Sequence, residues 1–537
     1  MQIFLHFYFF NIRKHRFKQY CVYFYQIKTV PFNVRVTFNY IYGCKNTNYE
    51  LNQKMRDPFI NVLFIFMLLL FFNCTKDIDS IPEDIEINNF VWKGMNSYYY
   101  WQSDVPDLAD TRFANQGELN VFLRSFYAPE ELFQDLRFQP GVIDRFSWIV
   151  DDYVALENSF QGIRLTNGME FKLFVYKENT TNVYGVVYYV IPGSNAEVQG
   201  VLRGDVFSAI NDTQITVDNY KSLLFGENSN YTLNVSDFKT GNPEVNGTNI
   251  VLVKEEFQEN PIAISKTFNE GSKKIGYLLY NQFASSFDLQ LNSAFSYFKS
   301  EAVTDLIIDL RYNGGGSVRT ATYLASMING TNTGKLFSQE FWNEKVVKNT
   351  SPDYFENNFT DQITSNDDNI PIESLSLNTV YFIVTDDTAS ASELVINGMK
   401  PYIDVKLVGT KTVGKQVGSI TVYDSDNYRR TGSNLNVNHT YAMQPIVLEI
   451  KNSQGQNNPE GYLPEIVLSE DFGREDGTIN LGVLGERSDI LLDRTINFIT
   501  TGSRPSFKNR NYNQEKALID SKVIQPFSQE MFVENFR

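Results

Sequence analysis

A serine lies in a run of small residues where a predicted strand gives way to a predicted helix. Thr-Ala-Ser-Ala-Ser-Glu occupies residues 388–393, after a strand at 380–385 and before a helix that runs to about Met399. Amide groups in the first turn of a helix stabilise negative charge, which suits a nucleophile such as Ser390. The same position suits a helix N-cap, with Glu393 completing a capping box. The pattern alone therefore leaves two interpretations, a catalytic serine and a structural cap.

A glycine-rich turn follows an earlier strand. Arg-Tyr-Asn-Gly-Gly-Gly occupies residues 311–316, at the end of a predicted buried strand at 305–311. No Gly-Lys-Ser or Gly-Lys-Thr follows, so the turn is not a phosphate-binding loop. Glycines leave backbone N–H groups uncovered, and such groups stabilise an oxyanion. A tight turn without a ligand explains the same glycines at least as well.

A catalytic serine needs a base, and the choice of base is narrow. The chain has three cysteines, Cys21, Cys44 and Cys74. The part after residue 74 therefore contains no thiol nucleophile and no zinc-thiolate site. His439 is the only histidine after residue 54, so a Ser-His-Asp triad would depend on it alone. A lysine deprotonated by burial is the other option, and Lys411 and Lys415 follow a predicted strand at 405–408. By position alone, a solvated loop charge is the better explanation of either lysine.

Three motifs in a fixed order make the pattern specific. They are Leu-Arg-x-Asn-Gly-Gly-Gly at 310–316, Ser-Ala-Ser-Glu at 390–393 and Val-Gly-x-x-Thr-x-Gly-Lys at 408–415. Together they resemble the C-terminal processing, or tail-specific, peptidases, a family of serine peptidases with a Ser-Lys dyad. The resemblance implies that Ser390 is the nucleophile and Lys415 the base, 415 − 390 = 25 residues apart.

The resemblance also implies roles for the residues around the dyad. Glu393 and Thr412 fall on family motif positions and are expected to support the site. The implied oxyanion donors are the backbone N–H groups of Gly315, Gly316 and Ala391.

The chain departs from the family pattern at two points. Thr388 and Ala389 stand where the family often has Ser-Ala. The glutamine that usually follows the lysine by four residues is replaced by Ser419, and Gln416 comes directly after the lysine. Gln416 and Ser419 are both candidate supporting residues, and the sequence does not decide which side chain orients the lysine.

Residues 161–256 have the pattern of a β-strand domain. A strand at 184–191 is followed by a Pro-Gly-Ser turn, a short helix at 195–200, and Gly-Asp at 204–205 before another strand. This order resembles a PDZ domain, which captures a peptide by adding it as a strand and holds its terminal carboxylate on backbone N–H groups. The candidate for that carboxylate loop is Gly162-Ile163-Arg164-Leu165.

The sequence predicts a multidomain α+β protein. A helical N-terminal domain at 74–160 has aromatic residues at helical spacing, and the PDZ-like domain follows at 161–256. Strands and helices alternate at 262–500, and the resemblance implies an α/β catalytic core of ββα repeats similar to the ClpP and crotonase folds. Residues 501–537 are polar with scattered aromatics and are predicted to be a C-terminal tail.

The first 73 residues divide into two parts. Residues 1–54 carry eight Lys and Arg against one acid, and we expect them to be a mis-called extension, with translation starting at Met55. Residues 55–73 resemble a bacterial lipoprotein signal peptide. Their apolar run at 59–72 is shorter than the roughly 20 residues of a membrane span, and Cys74 follows as the residue to be acylated. Asn73 replaces the usual small residue before that cysteine, so an uncleaved N-terminal anchor is the alternative.

Charge and motifs together bound the function. The net charge is −16, and residues 1–54 contribute 8 − 1 = +7, so residues 55–537 carry −16 − 7 = −23. Such a chain repels nucleic acid, and the motifs imply no metal, nucleotide or flavin cofactor.

We expect a serine endopeptidase that cleaves proteins or peptides near flexible C-terminal tails, with the PDZ domain binding those tails or gating the site. It would be anchored to a membrane of the bacterial cell envelope and face the periplasm or the cell surface. The alternatives are a catalytically inactive peptide-binding lipoprotein of the same fold and an esterase that uses the same dyad.

The single cysteine after the apolar run generates a prediction. Expressed from Met55 in a bacterial host, the protein is expected to partition with membranes and to incorporate labelled fatty acid. Cys74→Ala removes the only thiol in residues 55–537 and is expected to remain unlabelled. Equal labelling of the two proteins would contradict acylation at this residue.

Overall fold

The computed structural model describes residues 4–7, 23–30 and 33–39, and then 81–534 apart from 178, 239–241, 366–367, 473–478, 504–516 and 525–526. The chain divides into two units, Met1–Ser80 and Ile81–Arg537. In the first unit, three strands pair antiparallel in the order β1-β2-β3, namely β1 (Phe4–Phe7), β2 (Tyr23–Val30) and β3 (Asn33–Asn39). The predicted signal segment at 55–73 and Cys74 lie outside the described residues. Among the described residues, no helix is long and apolar enough to cross a membrane.

The second unit begins with short helices. They are α1 (Glu86–Tyr98), α2 (Gln116–Leu123), α3 (Pro129–Asp135) and α4 (Tyr153–Phe160), with strand β4 (Trp148–Val150) before the last. Phe90, Val91 and Met95 of α1 are buried because they recur on one face of the helix. The predicted helical N-terminal region is therefore confirmed.

A β-rich segment follows. Its elements are β5 (Ile163–Thr166), β6 (Met169–Val175), β7 (Val183–Val190), α5 (Asn195–Val198), β8 (Val206–Ile210), β9 (Thr213–Gln214), α6 (Tyr220–Leu224), β10 (Asn230–Phe238), β11 (Pro243–Val253) and β12 (Glu255–Gln258). Strands β11, β10, β8, β7 and β6 form an antiparallel sheet in that order, while β5 and β12 pair separately. The sheet packs around Phe171, Val187, Phe207 and Leu233. Strands, turn and short helices stand in the predicted order, and the identity of this segment as a PDZ domain stays a prediction.

The remaining elements build an α/β core. They are β13 (Ile262–Glu270), β14 (Lys273–Tyr280), α7 (Asp288–Ser300), β15 (Asp305–Asp309), β16 (Gly316–Ser317), α8 (Val318–Ile328), β17 (Leu336–Trp342), α9 (Glu344–Asn349), β18 (Glu356–Asn358), β19 (Gln362–Ser365), β20 (Asp368–Pro371), β21 (Thr379–Val384), α10 (Ala391–Met399), β22 (Asp404–Gly409), β23 (Val417–Ser419), β24 (Val422–Tyr423), β25 (Ala442–Gln444), β26 (Ile446–Asn452), β27 (Ile466–Val467), α11 (Ile490–Thr501), β28 (Ile519–Asp520) and β29 (Met531–Phe532).

The central sheet has the order β13-β14-β15-β21-β22-β27, and every pair except β13·β14 is parallel. It is buried on both faces. Leu306 and Ile308 of β15 belong to one core cluster, and Ile307 between them belongs to another, which contains Leu492 and Ile496 of α11. Alternate residues of a strand point to opposite faces, so a nearly continuous apolar run is what this position in a layered α/β fold requires. The predicted multidomain α+β architecture is confirmed.

The segment predicted as a polar tail contains two strands that join other parts of the unit. Strand β28 pairs antiparallel with β6 at the free edge of the β-rich sheet. Strand β29 lies between β16 and β23 in a second sheet of order β16-β29-β23-β26-β17-β18. Each strand is two residues long, too short to carry a periodic signal in the sequence.

Candidate active site

Ser390 occupies the sharp turn between β21 and α10. Its backbone has φ 64° and ψ −119°, and a side chain other than glycine at positive φ costs about 1–3 kcal/mol. Its side chain is buried, and within the described residues the hydroxyl has no hydrogen-bond partner. A buried hydroxyl without a partner is unusual, because burial without a hydrogen bond is unfavourable. The turn therefore holds this hydroxyl in place at a cost in folding free energy. The hydroxyl is left without a hydrogen bond, as a nucleophile requires.

The serine turn is tied to the glycine-rich turn by hydrogen bonds. The Thr388 hydroxyl donates to the Leu310 carbonyl at 2.8 Å. The Asn313 carbonyl accepts from the Ala389 N–H at 3.2 Å and from the Ser392 hydroxyl at 3.1 Å. The two turns follow neighbouring parallel strands, β15 and β21, so their adjacency comes from the sheet and their relative position from these bonds.

The close approach of the two turns requires glycine. A Cβ atom added to Gly315 would lie 2.6 Å from the Ser390 Cβ and 3.0 Å from the Ala391 nitrogen, and φ at Gly315 is +118°. These contacts bring Gly315 and the amide of Ala391 together beside the serine, as the sequence predicts for an oxyanion site.

The N–H groups of the two glycines are both occupied in this structure. The Gly315 N–H donates to the Asn313 side-chain oxygen at 2.9 Å, and the Gly316 N–H donates to the Glu530 carbonyl at 2.6 Å. Gly315 therefore shapes the turn with its own amide already satisfied, which differs from the expected free donor. The Gly316 N–H is occupied as well, by a peptide carbonyl, and its role as an oxyanion donor stays a prediction.

Lys415 is completely buried. Its Nζ donates to the Gln529 carbonyl at 2.5 Å and lies 3.4 Å from Glu530 Oε2. The ring centroid of Phe146 lies 4.9 Å from the same nitrogen. The amine is thus held between an aromatic face and the C-terminal segment.

Burial is the main influence on the pKa of this amine. Loss of water lowers the pKa of Lys415, and the carboxylates of Glu530, Asp144 and Glu393 work in the opposite direction. Burial prevails, so the pKa lies below the ordinary lysine value. A lowered pKa is the condition for a lysine to act as a general base.

A single buried carboxylate joins the serine turn to the lysine loop. Glu393 Oε2 accepts the Ser390 N–H at 3.0 Å and the Lys415 N–H at 2.8 Å. Its Oε1 accepts the Gly414 N–H at 2.8 Å and the Thr412 hydroxyl at 2.5 Å. Four donors on one side chain fix the backbones of Ser390 and Lys415 relative to each other. The structure therefore brings together all four of the residues that the motifs predict here.

The two candidates for orienting the lysine behave differently. The side-chain amide of Gln416 is buried without a hydrogen-bond partner among the described residues. The Ser419 hydroxyl donates to Glu530 Oε2 at 3.0 Å, and Trp148 Nε1 donates to the other oxygen of that carboxylate at 2.7 Å. Glu530 thus supplies the carboxylate beside Lys415, and Ser419 orients Glu530. Sequence reasoning missed Glu530 because it lies in the segment assigned to a polar tail.

The alternative bases are not beside the serine hydroxyl. His439 Nε2 lies 3.0 Å from Asp424 Oδ2, and its Nδ1 accepts the Tyr441 N–H at 3.1 Å. Both ring nitrogens are therefore engaged away from Ser390. Lys411 is exposed. Of the three candidate bases, only Lys415 is both buried and linked to the serine turn.

The predicted carboxylate loop, Gly162 to Leu165, lies largely in a strand, and its role in binding a peptide terminus stays a prediction. Ile163, Arg164 and Leu165 belong to β5, which pairs with β12 and lies outside the sheet that contains β6. The Arg164 guanidinium contacts Glu170 and lies 3.6 Å from Glu259, so its charge is already neutralised. Gly162 and Arg164 instead line a cavity of about 70 Å³ together with Gly314–Gly316. The loop is thus a neighbour of the glycine-rich turn.

Two family models match the chain. The model of peptidase family S41 matches residues 274–448, and the model of the peptidase S41 N-terminal domain matches residues 86–148. A Staphylococcus epidermidis (ATCC 12228) protein named "Probable CtpA-like serine protease" is 26% identical over 238 residues, 43% of this chain and 42% of the relative. A protein of the same name from Staphylococcus aureus N315 is 26% identical over 233 residues, 43% of this chain and 41% of the relative. The chain thus spans about two fifths of the length of these curated relatives.

A solved structure has the same fold. It is a Bacteroides fragilis NCTC 9343 protein named as an S41 protease, with a TM-score of 0.59 and 22% identity over 79% of this chain and 99% of that one. The solved structure shows the fold alone, and the family models and the two relatives are those of serine-type peptidases. Residues 274–448 and 86–148 match peptidase family S41, and the resemblance to C-terminal processing peptidases that the motifs indicated is confirmed.

The four donors around Glu393 generate a prediction. In Glu393→Gln, one side-chain oxygen becomes an NH₂ group that faces donors, so at least two buried hydrogen bonds are lost. We expect the free energy of unfolding to fall by about 2–4 kcal/mol, measured by urea denaturation.

Glu118→Gln is the matched control. The Glu118 side chain is exposed and, among the described residues, accepts only the Ala114 N–H, at 2.9 Å, so we expect a change within about 0.5 kcal/mol. A Glu393→Gln protein as stable as this control would contradict the linking role assigned to Glu393.

Proposed function

We propose that the chain is a serine endopeptidase in which Ser390 is the nucleophile and Lys415 the general base. One observation carries the proposal: a single oxygen of Glu393 accepts the backbone N–H groups of both residues. The two residues also have the properties that such a pair needs, since the serine hydroxyl is unpartnered among the described residues and burial lowers the pKa of the lysine.

The reaction follows from these groups. The neutral Lys415 amine takes the proton of the Ser390 hydroxyl, and Oγ attacks the carbonyl carbon of the scissile peptide. The oxyanion accepts hydrogen bonds from the N–H groups of Gly316 and Ala391. The C–N bond then breaks as the lysine ammonium gives its proton to the leaving amine. Water hydrolyses the acyl-serine by the same steps and releases the second product.

The substrate class proposed is a protein or peptide with a flexible C-terminal tail. A sheet edge such as that of β6 binds an extended peptide through backbone hydrogen bonds, which suits tails of varied sequence. We also propose that Cys74 carries the lipid anchor that holds the enzyme at a bacterial membrane. An inactive peptide-binding protein is the second candidate, and activity measurements on the dyad variants separate the two.

Substitution of the dyad tests the proposal directly. Ser390→Ala and Lys415→Ala are each expected to lower kcat for a fluorogenic peptide by about 10³-fold or more, because the two residues act as a unit. Lys415→Arg is expected to be as inactive as alanine, because a guanidinium does not release its proton in a protein. Circular dichroism and thermal unfolding check that each variant folds.

His439→Ala and Lys411→Ala are the controls for the choice of base. Both are expected to keep nearly full activity, because neither side chain is linked to the serine turn. An active Lys415→Arg enzyme, or a folded but inactive His439→Ala enzyme, would show that the base has been misassigned.

The surroundings of Lys415 predict a pH dependence. Only the neutral amine accepts a proton, so kcat/KM rises with pH through the Lys415 pKa. Glu530→Gln removes a carboxylate that lies 3.4 Å from Nζ and favours the ammonium, while Asp144 and Glu393 remain. The pKa of Lys415 then falls, and the rising limb of the profile moves to lower pH.

Glu534→Gln provides the matched control for the pH measurement. Glu534 lies in the same segment and pairs with Arg319 at 2.5 Å, so its loss is expected to leave the limb in place. A limb at the same pH in wild type and Glu530→Gln would mean that Lys415 is not the group that titrates.

A further inference from the structure

The C-terminal segment first adds a strand to the β-rich sheet. Strand β28 pairs antiparallel with β6, with Ile519 opposite Leu173. The Leu518 N–H donates to the Leu173 carbonyl at 2.7 Å, and the Ser521 N–H donates to the Phe171 carbonyl at 3.0 Å. On its other side β6 pairs with β7, so the segment fills the one edge that β6 leaves open.

Side chains reinforce this backbone pairing. Asp520 lies 3.3 Å from Lys172 Nζ and accepts the Tyr188 hydroxyl at 3.0 Å. Lys522 Nζ donates to the Tyr312 carbonyl at 2.7 Å, next to the glycine-rich turn. The segment is thus directed from the sheet edge toward the serine.

The same segment then enters the active site. Strand β29 runs parallel to both β16 and β23 and lies between them. The Glu530 carbonyl accepts the Gly316 N–H at 2.6 Å, the Gln529 carbonyl accepts the Lys415 amine at 2.5 Å, and the Val533 N–H donates to the Ser419 carbonyl at 3.0 Å. Extended backbone therefore fills the groove beside Ser390 and contacts the proposed base and oxyanion donor.

These partners are the ones that a substrate needs. A peptide bound for cleavage must place a carbonyl at the Gly316 N–H and leave the Lys415 amine free for the serine proton. Residues 528–534 and a substrate strand cannot occupy the groove together. The edge of β6 likewise accepts one strand at a time.

We propose that residues 517–524 and 527–534 follow the path of the substrate, so that the edge of β6 is the docking strand and the groove between β16 and β23 is the cleavage cleft. The segment acts as an internal competitor, and substrate binds only when it leaves. This inference rests on the proposed peptidase function and adds the route by which a tail reaches Ser390.

Deletion of residues 517–537 from the full chain tests the path. A tethered segment competes at an effective concentration on the order of millimolar, so its removal is expected to raise kcat/KM for a flexible peptide about 10-fold or more. A synthetic peptide of residues 517–537 added to the deletion variant is expected to inhibit it competitively. A scrambled peptide of the same composition is expected to have no effect.

Binding measured without catalysis separates this inference from the proposed function. In the Ser390→Ala background, the labelled 517–537 peptide is expected to bind the deletion variant and to bind the full chain at least about 10-fold more weakly, because the tethered copy competes. If this pattern holds while no variant with Ser390 cleaves any peptide, the path stands and the proposed peptidase function fails. Cleavage that is equal with and without the segment would overturn the path and leave the function intact.

A point variant covers the case in which the deletion prevents folding. Val533→Pro in the full chain removes the N–H that donates to Ser419 and weakens the strand in the groove with the segment still present. It is also expected to raise kcat/KM. A folded Val533→Pro protein with activity equal to or below wild type would overturn the inference, because the segment would then be a supporting strand of the site.

Discussion

The carboxylate of Glu393 is the interaction on which the site depends. Parallel pairing of β21 with β22, Val384 opposite Gly409, brings the serine turn and the lysine loop to the same edge of the sheet. Strands are about 4.8 Å apart, so neighbouring strands bring two loops near each other without fixing their relative position. The four hydrogen bonds to Glu393 supply that position within the described part of the chain. A buried carboxylate is stable only when its oxygens accept hydrogen bonds. The loops therefore stabilise the glutamate, and the glutamate in turn fixes the loops.

A second buried polar group fixes the glycine-rich turn. Arg311 is completely buried, 2.6 Å from Asp309 and 2.7 Å from Asp489, and its Nη1 donates to Glu470 at 3.1 Å. Burial by itself raises the pKa of Glu470, but the guanidinium groups of Arg203 and Arg311 outweigh it and lower that pKa to about 2. A buried ion cluster contributes less to stability than apolar packing of the same volume, but it fixes how the side chains and strands that it joins are oriented. Here it fixes where the strand ends and where the glycines begin.

The sequence predicted those features that strong local patterns encode. The buried strand at 305–309 has three consecutive apolar residues between two aspartates, and the serine and lysine lie in motifs with a fixed order and spacing. The partner of the lysine could not be predicted in this way, because β28 and β29 are two-residue strands whose position depends on distant edges. The Gly162–Leu165 loop fits a pattern for carboxylate capture, yet Arg164 is neutralised by Glu170 and Glu259. Residue type indicates what a side chain can bind, whereas long-range pairing decides what it does bind.

The chemistry of the base and the position of the C-terminal segment are coupled through Glu530. With the segment in the groove, a carboxylate and a backbone carbonyl lie beside Lys415 Nζ, and both favour the ammonium. When the segment leaves, both partners leave with it. The Phe146 ring is separate from the segment, but part of the burial that lowers the pKa of the lysine is supplied by the segment itself. Departure of the segment would therefore open the groove and change the surroundings of the base in the same step. The segment thus occupies the cleft and contributes both a carboxylate that favours the ammonium and part of the burial that opposes it.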